Sequence, residues 1–307
     1  MSQLVLHVGH GKTGSSALQS FLALNSTLLE QFGIRYPLNA QTDRAARGHV
    51  TTGNREALFE PMGHGEVRLV SSETFFFDIA EGNETWELIR GFGSSVEILF
   101  YVRDVFDHLV SHWGQLVKRR GYSGTLEQCA AGFNAPARTR LVIERLRQAG
   151  TAFRIANYSR HSHDLEGHFA HVLLGDLASD FLEKCRKFPH PVNRSLAVPE
   201  LEFLRAYNRY YVGEEPQHLA DELVNRLPHI EVTPPFIGSD TVAKVQGSVG
   251  EDVAFINQFL TDSEQVSIAY KGPRAANPDD VFCFNAEQLR VIAQTVCSDR
   301  HGKIRQS

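Results

Sequence analysis

Long apolar runs are missing from this chain of 307 residues. A membrane-spanning helix needs about 18 or more consecutive apolar residues, and the densest apolar stretches, VEILFYV and SFLAL, are far shorter. The start of the chain also lacks a basic region followed by an apolar stretch of signal-peptide length. The sequence therefore predicts a cytoplasmic protein with no membrane span.

Cysteine is scarce, and positive charge is not in excess. The four cysteines form no CxxC pair and are too few for a disulfide framework, which favours a reducing compartment. The formal net charge is -5 and the sequence pI is near 6.3. These values argue against a protein that coats nucleic acid, because such binding depends on many Lys and Arg contacts to phosphate. A local basic pocket is still compatible with them.

Four short apolar segments, separated by polar or glycine-rich residues, predict the strands of one sheet. They are residues 4–9, 67–72, 96–102 and 152–157. Their near-continuous apolar character is typical of strands covered on both faces, and helical spacing of apolar residues fills the gaps between them. This alternation predicts a three-layer α/β fold in which helices flank a central parallel sheet.

The rest of the chain divides into predicted loops and helices. Helical patterns follow the first strand as far as Gly33, follow the third strand, and dominate residues 198–212, 216–227 and 285–302. Residues rich in Pro, Gly, Ser, Asn and Thr predict loops over 37–66, 232–250 and 271–281. We expect a single domain over 1–307, with its core sheet within 1–160 and a mainly helical extension over 161–307.

The first strand leads through the sequence GHGKTGSS into a helix, and this junction predicts an anion site. The N–H groups at a helix N-terminus are free to bind an anion, and glycines let the backbone turn tightly. Phosphate or sulfate is the expected ligand, and the alternative is a glycine-rich turn with a serine cap. The residues expected to bind it are Gly11, Lys12, Thr13, Gly14, Ser15 and Ser16.

This loop does not fit the nucleotide triphosphate motif GxxxxGK[ST], because Leu6 stands where the first glycine is required. The order KTGSSALQ instead resembles the 5′-phosphosulfate loop of sulfotransferases that use 3′-phosphoadenosine 5′-phosphosulfate (PAPS). That family typically has Lys, a small residue, Gly and then two Ser or Thr residues that open the helix. The resemblance implies the P-loop NTPase-like fold of these enzymes.

A second motif, YVRDVFDHLVSHW, adds to the resemblance. In the family, an Arg at the end of this strand and a Ser eight residues later bind the 3′-phosphate of the nucleotide, and Arg103 and Ser111 have that spacing. An Arg offers a planar fork and a Ser offers a hydroxyl to a phosphate. The proline often found two residues after the Arg is replaced by Val105. The alternative for Arg103 is a surface ion pair with Asp104 or Asp107.

The base that accepts the acceptor's proton is expected at the end of the strand VRLVSS. In these sulfotransferases this region carries a His or a Glu as the base, which makes Glu73 the candidate. The alternative is that Glu73 caps the helix that follows, where the helix dipole favours a negative charge. His49 and His10 are the rival bases.

The resemblance covers residues 4–160 and is closest to a bacterial, carbohydrate-type-like branch. It implies in-line transfer of a sulfuryl group from PAPS to an acceptor hydroxyl, less often an amine, with Glu73 as base and Lys12 stabilising the leaving phosphate. The acceptor is a small molecule, lipid or carbohydrate, and no metal is required. A P-loop kinase that uses ATP and Mg²⁺ and a non-catalytic nucleotide-binding module are the alternatives.

The histidines do not form a recognisable metal motif in the sequence. The pair His108 and His112 lacks the Glu of HExxH. The group His161, His163, His168 and His171 has no evident Cys or carboxylate partner set. We therefore interpret these histidines as solvated or capping residues.

Overall fold

The computed structural model describes residues 2–46, 53–188, 194–210, 215–273, 275 and 283–304. Its internal contacts divide the chain into two compact units. The first unit consists of Met1–Val105, Asn134–Val192 and Val249–Ile268, and the second consists of Phe106–Phe133, Asn193–Ser248 and Ala269–Ser307. The prediction of a single domain over 1–307 stays a prediction.

The first unit contains one sheet of five parallel strands in the order β2-β3-β1-β4-β5. The strands are β1 (Gln3–Val8), β2 (Ile34–Arg35), β3 (Val67–Ser72), β4 (Val96–Val102) and β5 (Ala152–Asn157). The four predicted strands are confirmed within one residue at their ends. The edge strand β2 has two residues, too few to give a periodic signal.

Helices account for most of the remaining structure. In chain order the α-helices are α1 (Ser15–Leu24), α2 (Ser26–Gln31), α3 (Ala40–Ala45), α4 (Thr74–Glu81), α5 (Glu84–Gly91), α6 (Val105–Arg120), α7 (Leu126–Ala130), α8 (Ala135–Ala149), α9 (Tyr158–His161), α10 (Leu165–Leu174), α11 (Ala178–Lys184), α12 (Val198–Tyr210), α13 (Glu215–Arg226), α14 (Ser239–Asn257) and α15 (Ala286–Ile304). Short 3-10 helices cover Arg55–Phe59, Gly93–Ser95, Gly175–Leu177 and Asp262–Glu264.

Both faces of the sheet are buried, as the apolar strands predict. On one face, Val5 and Leu69 join a core cluster with side chains of α1, α10 and α11, among them Phe21 and Phe169. Side chains alternate between faces along a strand, so Leu6 lies on the opposite face, where it is fully buried. Helix α4 contacts β1, and α8 contacts both α4 and β5. The three-layer α/β prediction is confirmed.

Two predictions about helices and loops are wrong. The predicted helix after the first loop is two helices, because Asn25 ends α1 and its side chain donates to the carbonyl oxygens of Phe21 and Arg186. The predicted loop 232–250 contains the start of α14. Its glycines and serines suggested a loop, but buried Val245, Val249 and later apolar residues of the helix recur at helical spacing.

The other predicted loops are partly described. The 37–66 region contains α3 and a 3-10 helix, and its residues 47–52 lie outside the described residues. Of the predicted loop 271–281, residues 271–273 and 275 are described and belong to no helix or strand. Gly33 follows α2 with a φ of 82°, the conformation expected of a helix C-terminal glycine.

The regular structure within the described residues of the second unit is all helical. The predicted helices over 198–212, 216–227 and 285–302 are confirmed as α12, α13 and α15, except that residues 211 and 212 lie outside the described residues. Helix α13 packs against both of the others. The fully buried carboxylate of Glu200 accepts hydrogen bonds from Arg194 and Gln288. Within the described residues, the helices are all too short or too polar to cross a bilayer.

Candidate anion-binding and acid–base site

The candidate site begins in the loop between β1 and α1. The Gly9 N–H donates to the Ser72 carbonyl at 3.1 Å, which extends the pairing of β1 with β3 by one residue. The N–H and the hydroxyl of Thr13 both donate to the His10 carbonyl, at 3.2 and 2.6 Å. Thr13 is fully buried. The bonds between Thr13 and His10 fold the loop back on itself before α1 begins.

Two residues of this loop have left-handed backbone conformations. Gly14 has φ 80° and precedes α1, and Lys12 has φ 73°. Lys12 is the only non-glycine residue with a positive φ within the described parts of the chain. That conformation is strained for a residue with a Cβ, and strained backbone clusters at functional sites. The strain at Lys12 is therefore evidence that the loop is shaped for more than a connection.

The N-terminus of α1 offers unpaired hydrogen-bond donors. Gly14 supplies no side-chain cap, and the first turn contains no acidic residue. The first backbone N–H groups of a helix have no partner within that helix, and the helix dipole makes them attractive to an anion. The Ser15 side chain is 2% exposed, and its hydroxyl makes no hydrogen bond of acceptable geometry. A ligand anion would satisfy these donors together.

Glu73 lies beside this helix end. The register of β1 and β3 pairs Val8 with Ser72, so the next residues along, Gly9 and Glu73, are neighbours. They are in such close contact that a Cβ on Gly9 would lie 2.8 Å from Glu73 Cγ and 2.6 Å from Ser15 Oγ. Glycine at position 9 is required for this approach. Glu73 and Ser15 therefore share one small space at the carboxyl end of the sheet.

The surroundings of Glu73 alter its acidity. Burial raises the pKa of Glu73 above its ordinary value, while the positive charge of Lys12 and the nearby Ser15 hydroxyl act in the opposite direction. The alternative that the Glu73 side chain caps helix α4 is not supported by its hydrogen bonds. Glu73 stands at the N-cap position of α4, but its carboxylate makes no capping hydrogen bond. The group is thus a partly buried carboxyl with increased affinity for a proton.

Arg103 joins the same loop from the end of β4. Its guanidinium donates to the Lys12 carbonyl oxygen at 2.8 Å and lies 5.0 Å from the centre of the Tyr158 ring. Tyr158 also borders Gly14, because a Cβ there would lie 2.7 Å from the Tyr158 ring. The Lys12 loop, Arg103 and Tyr158 therefore form one continuous surface at the carboxyl ends of β1, β4 and β5.

Asp104 anchors this corner of the sheet. Its Oδ1 accepts from the Asn157 side chain and the Ser267 N–H, and its Oδ2 pairs with Arg160 at 3.2 Å. Both carboxylate oxygens are thus used to hold neighbouring segments. Sequence analysis did not find this network, because its partners are far apart in the chain. The only available signal was that Asn157 also ends a strand at the same sheet edge.

The first unit thus brings together most of the sequence-predicted residues. Lys12, Ser15, Glu73 and Arg103 lie around one helix end, with the half-buried Gly11 in the loop and the half-buried Ser16 in the first turn of α1. Both donors of Thr13 are engaged with His10, so any part it has in ligand binding stays a prediction.

Three other residues named from the sequence are placed differently. Ser111 belongs to α6 in the second unit, so its joint action with Arg103 also stays a prediction. His10 is buried, with its ring 4.2 Å from that of Phe76. The rival base His49 lies outside the described residues.

Comparisons with known proteins add little to this geometry. No family model matches the chain, and no curated protein matches it. Among solved structures the chain is similar to a sulfotransferase from Alicyclobacillus acidocaldarius, with 13% sequence identity and a TM-score of 0.39 over 83% of this chain and 94% of that one. A likeness at that level supports no functional argument, so the interpretation rests on the residues of the site.

Proposed function

We propose that the chain is a sulfotransferase that moves a sulfuryl group from PAPS to an acceptor hydroxyl. The observation that carries the proposal is the grouping of two cationic side chains, Lys12 and Arg103, with a carboxyl of raised pKa, Glu73, around the uncapped N-terminus of α1. The cations and helix N–H groups suit a sulfuryl donor that carries two separate anionic groups, a 3′-phosphate and a 5′-phosphosulfate. The Glu73 carboxylate suits the role of the general base that accepts the proton of the acceptor hydroxyl.

The residues present fit the donor's anionic groups. The buried Ser15 hydroxyl and the first N–H groups of α1 supply hydrogen-bond donors for the phosphosulfate group of PAPS, and Lys12 supplies a full positive charge. A Cβ on Gly11 would meet nothing within 4 Å, so the outer side of the loop is open to a ligand. Arg103 provides the planar fork that a phosphate dianion favours, which assigns it to the 3′-phosphate.

The reaction requires few protein groups. The acceptor oxygen forms a bond to sulfur while the bond from sulfur to the bridging phosphate oxygen breaks, which yields a sulfate ester and 3′-phosphoadenosine 5′-phosphate. Lys12 neutralises the charge that develops on the departing phosphate, as electrostatic stabilisation in phosphoryl transfer does. Glu73 takes the proton from the acceptor hydroxyl, for which a raised pKa brings its basicity closer to neutral pH.

Binding of the product nucleotide tests the donor site directly. We expect 3′-phosphoadenosine 5′-phosphate to raise the melting temperature without Mg²⁺, since a ligand at 100 times its Kd stabilises a protein by about 2.7 kcal/mol. AMP, which differs from it only by lacking the 3′-phosphate, should bind more weakly. Arg103→Ala should bring the two affinities close together, because it removes the group assigned to that phosphate.

The ratio of the two affinities is informative even if Arg103→Ala lowers stability by removing the bond to the Lys12 carbonyl. Arg90→Ala is the matched control, because Arg90 is an exposed residue of α5 that pairs with Glu87 on the same helix. That variant should retain the full preference for the 3′-phosphate. If Arg103→Ala retains it too, the assignment of Arg103 is wrong.

The kinase alternative requires a carboxylate available to Mg²⁺ near the loop. Asp104, which follows the candidate arginine, uses both carboxylate oxygens within the fold. Tight, Mg²⁺-dependent ATP binding with no response to 3′-phosphoadenosine 5′-phosphate would nevertheless favour a kinase over a sulfotransferase.

The Glu73→Gln variant distinguishes an enzyme from a non-catalytic nucleotide-binding module. The enzyme should retain nucleotide affinity but lose about 10²–10⁴-fold in transfer of labelled sulfate from PAPS. Pools of small-molecule, lipid and carbohydrate acceptors are the substrates to screen with labelled PAPS. An absence of transfer to every pool, combined with normal nucleotide binding, favours the module.

A further inference from the structure

Two histidines and a glutamate meet beyond the end of β5, although they are far apart in the sequence. His161 ends α9, His168 lies in α10, and Glu264 ends the 3-10 helix Asp262–Glu264. The distance between His161 Nε2 and Glu264 Oε1 is 2.6 Å, and 103 residues separate the two in the chain. Sequence analysis found the histidines but no carboxylate for them, and Glu264 is that carboxylate.

The three side chains offer their metal-binding atoms to one point in space. One ligand atom from each of the three residues lies within 4.8 Å of the other two. Donor atoms about 2.0–2.2 Å from a tetrahedral zinc ion lie roughly 3.4 Å apart, so small side-chain movements would suffice. The rings of His161 and His168 are stacked, with their centroids 3.5 Å apart. One ring must therefore rotate out of the stack before a nitrogen of each ring can face the same ion.

Neighbouring groups orient the ligands as second-shell partners do in metal sites. The Tyr101 hydroxyl lies 2.8 Å from His168 Nδ1, which leaves Nε2 of that ring to face the cluster. The Asn157 N–H donates to Glu264 Oε2 at 2.7 Å, which leaves Oε1 for a metal.

A cavity adjoins the cluster. It has a volume of about 410 Å³, and its lining includes Tyr101, His168 and Glu264 together with aromatic side chains of β4, β5 and the segment after α14. Three protein ligands with open space beside them match a zinc site in which a water molecule or another small ligand completes the coordination. The site is separate from the donor-binding residues, and it does not depend on the proposed function.

We propose that His161, His168 and Glu264 bind one divalent transition-metal ion of the zinc class. The ion takes the place of the hydrogen bond between His161 Nε2 and Glu264 Oε1. Its ligands come from two helices and from the segment after α14. The bound metal therefore ties these parts of the first unit together and stabilises the folded state.

Metal titration of the tag-free, chelator-treated chain tests the proposal. We expect one equivalent of Zn²⁺ to bind and raise the melting temperature, and one equivalent of Co²⁺ to give visible absorption typical of tetrahedral coordination. Glu264→Gln and His168→Gln should abolish both effects. Tyr101→Phe should weaken Zn²⁺ binding by about 10–100-fold, because it removes a second-shell partner of His168.

The control is His163→Gln, which alters an exposed histidine two residues after His161. It should bind one equivalent of Zn²⁺ as tightly as the parent. Circular dichroism of each metal-free variant shows whether it is folded before binding is compared. The proposal is overturned if the parent binds no stoichiometric metal, or if the folded ligand variants bind it as the parent does.

Discussion

Lys12 combines a charge with a strained backbone, and substitutions can separate the two. Its φ of 73° costs about 1–2 kcal/mol for a residue with a Cβ. Glycine removes that strain but gives the unfolded chain extra entropy worth about 0.4–1 kcal/mol. The first effect is the larger, so glycine at this position is expected to be favourable for stability by about 0.5–1 kcal/mol.

We therefore predict that Lys12→Gly is more stable than Lys12→Ala, although both lose the positive charge and both should lose nucleotide binding. Urea unfolding measures the difference in stability, and the melting shift with 3′-phosphoadenosine 5′-phosphate measures binding. Equal stabilities would show that the backbone at Lys12 carries no strain. Retained binding in both variants would remove Lys12 from the donor site.

Glu73 should make stability depend on pH. Its pKa is raised in the folded state, so the folded chain holds the proton more tightly than the unfolded chain does. The associated stability is present below the ordinary pKa of a glutamate and is lost as the pH rises through the raised value.

Glu73→Gln should remove this dependence, so the variant is expected to gain stability relative to the parent at pH 8 and to gain none at pH 3. Urea unfolding at the two pH values measures the change. A variant that is less stable than the parent at pH 8 contradicts the proposed environment of Glu73.

The sequence was informative about which of the candidate residues lie close together and much less so about their environments. Lys12, Glu73 and Arg103 each follow a predicted strand, and parallel strands bring their carboxyl ends to one edge. The raised pKa of Glu73 and the inward hydrogen bonds of Thr13 depend on packing against Gly9 and His10. No pattern in one sequence reports such contacts.

At the scale of elements, the start of α1 depends on the glycine before it. Gly14 has φ 80°, and a Cβ there would lie 2.4 Å from Leu165 and 2.7 Å from Tyr158. We expect Gly14→Ala to lower the free energy of unfolding by about 2–5 kcal/mol, from left-handed strain and overpacking together.

Gly11→Ala is the matched control for that change. A Cβ on Gly11 would meet nothing within 4 Å, so its effect should stay within about 0.5 kcal/mol. Urea unfolding of the two variants provides the comparison. If both variants are equally stable, α1 does not start against Tyr158 and Leu165 as described.

The helices and strands with a clear pattern of apolar residues were predicted from the sequence, and those with a weak pattern were missed. The strands β1, β3, β4 and β5 are each rich in apolar residues and were predicted closely, whereas β2 is too short to show a pattern. Helix α14 was missed because its glycines and serines outweighed the spacing of its buried valines. The division between α1 and α2 depends on Asn25 bonding to Arg186, 161 residues away.

At the scale of the whole molecule, each unit is built from separate stretches of chain. The first unit uses 249–268 to hold the ends of β4 and β5, through Ser267 on Asp104, Glu264 on the Asn157 N–H, and Gln265 on Asn157 and Arg160. All five strands lie within residues 1–160. The sequence-based prediction of a core in that range could not include the late segment 249–268, since nothing in its composition marks it as part of the sheet layer.

A fragment of residues 1–192 should therefore be much less stable than the full chain, even though it contains all five strands. We expect it to lack a cooperative thermal transition and to be digested rapidly by a protease, with the full chain as the reference. Circular dichroism and limited proteolysis provide the measurement. A fragment that melts cooperatively at the temperature of the full chain would show that 249–268 contributes little to the first unit.

The crowding at Gly9 and Gly14 also bears on how this protein's ancestry can be traced. A methyl group at either position would overlap Ser15, Glu73, Tyr158 or Leu165. This overlap arises within the fold and does not depend on the substrate. Distant homologues should therefore retain both glycines after most other positions have diverged in sequence. Any lineage that lost Gly14 should show a smaller side chain in place of Tyr158 or Leu165.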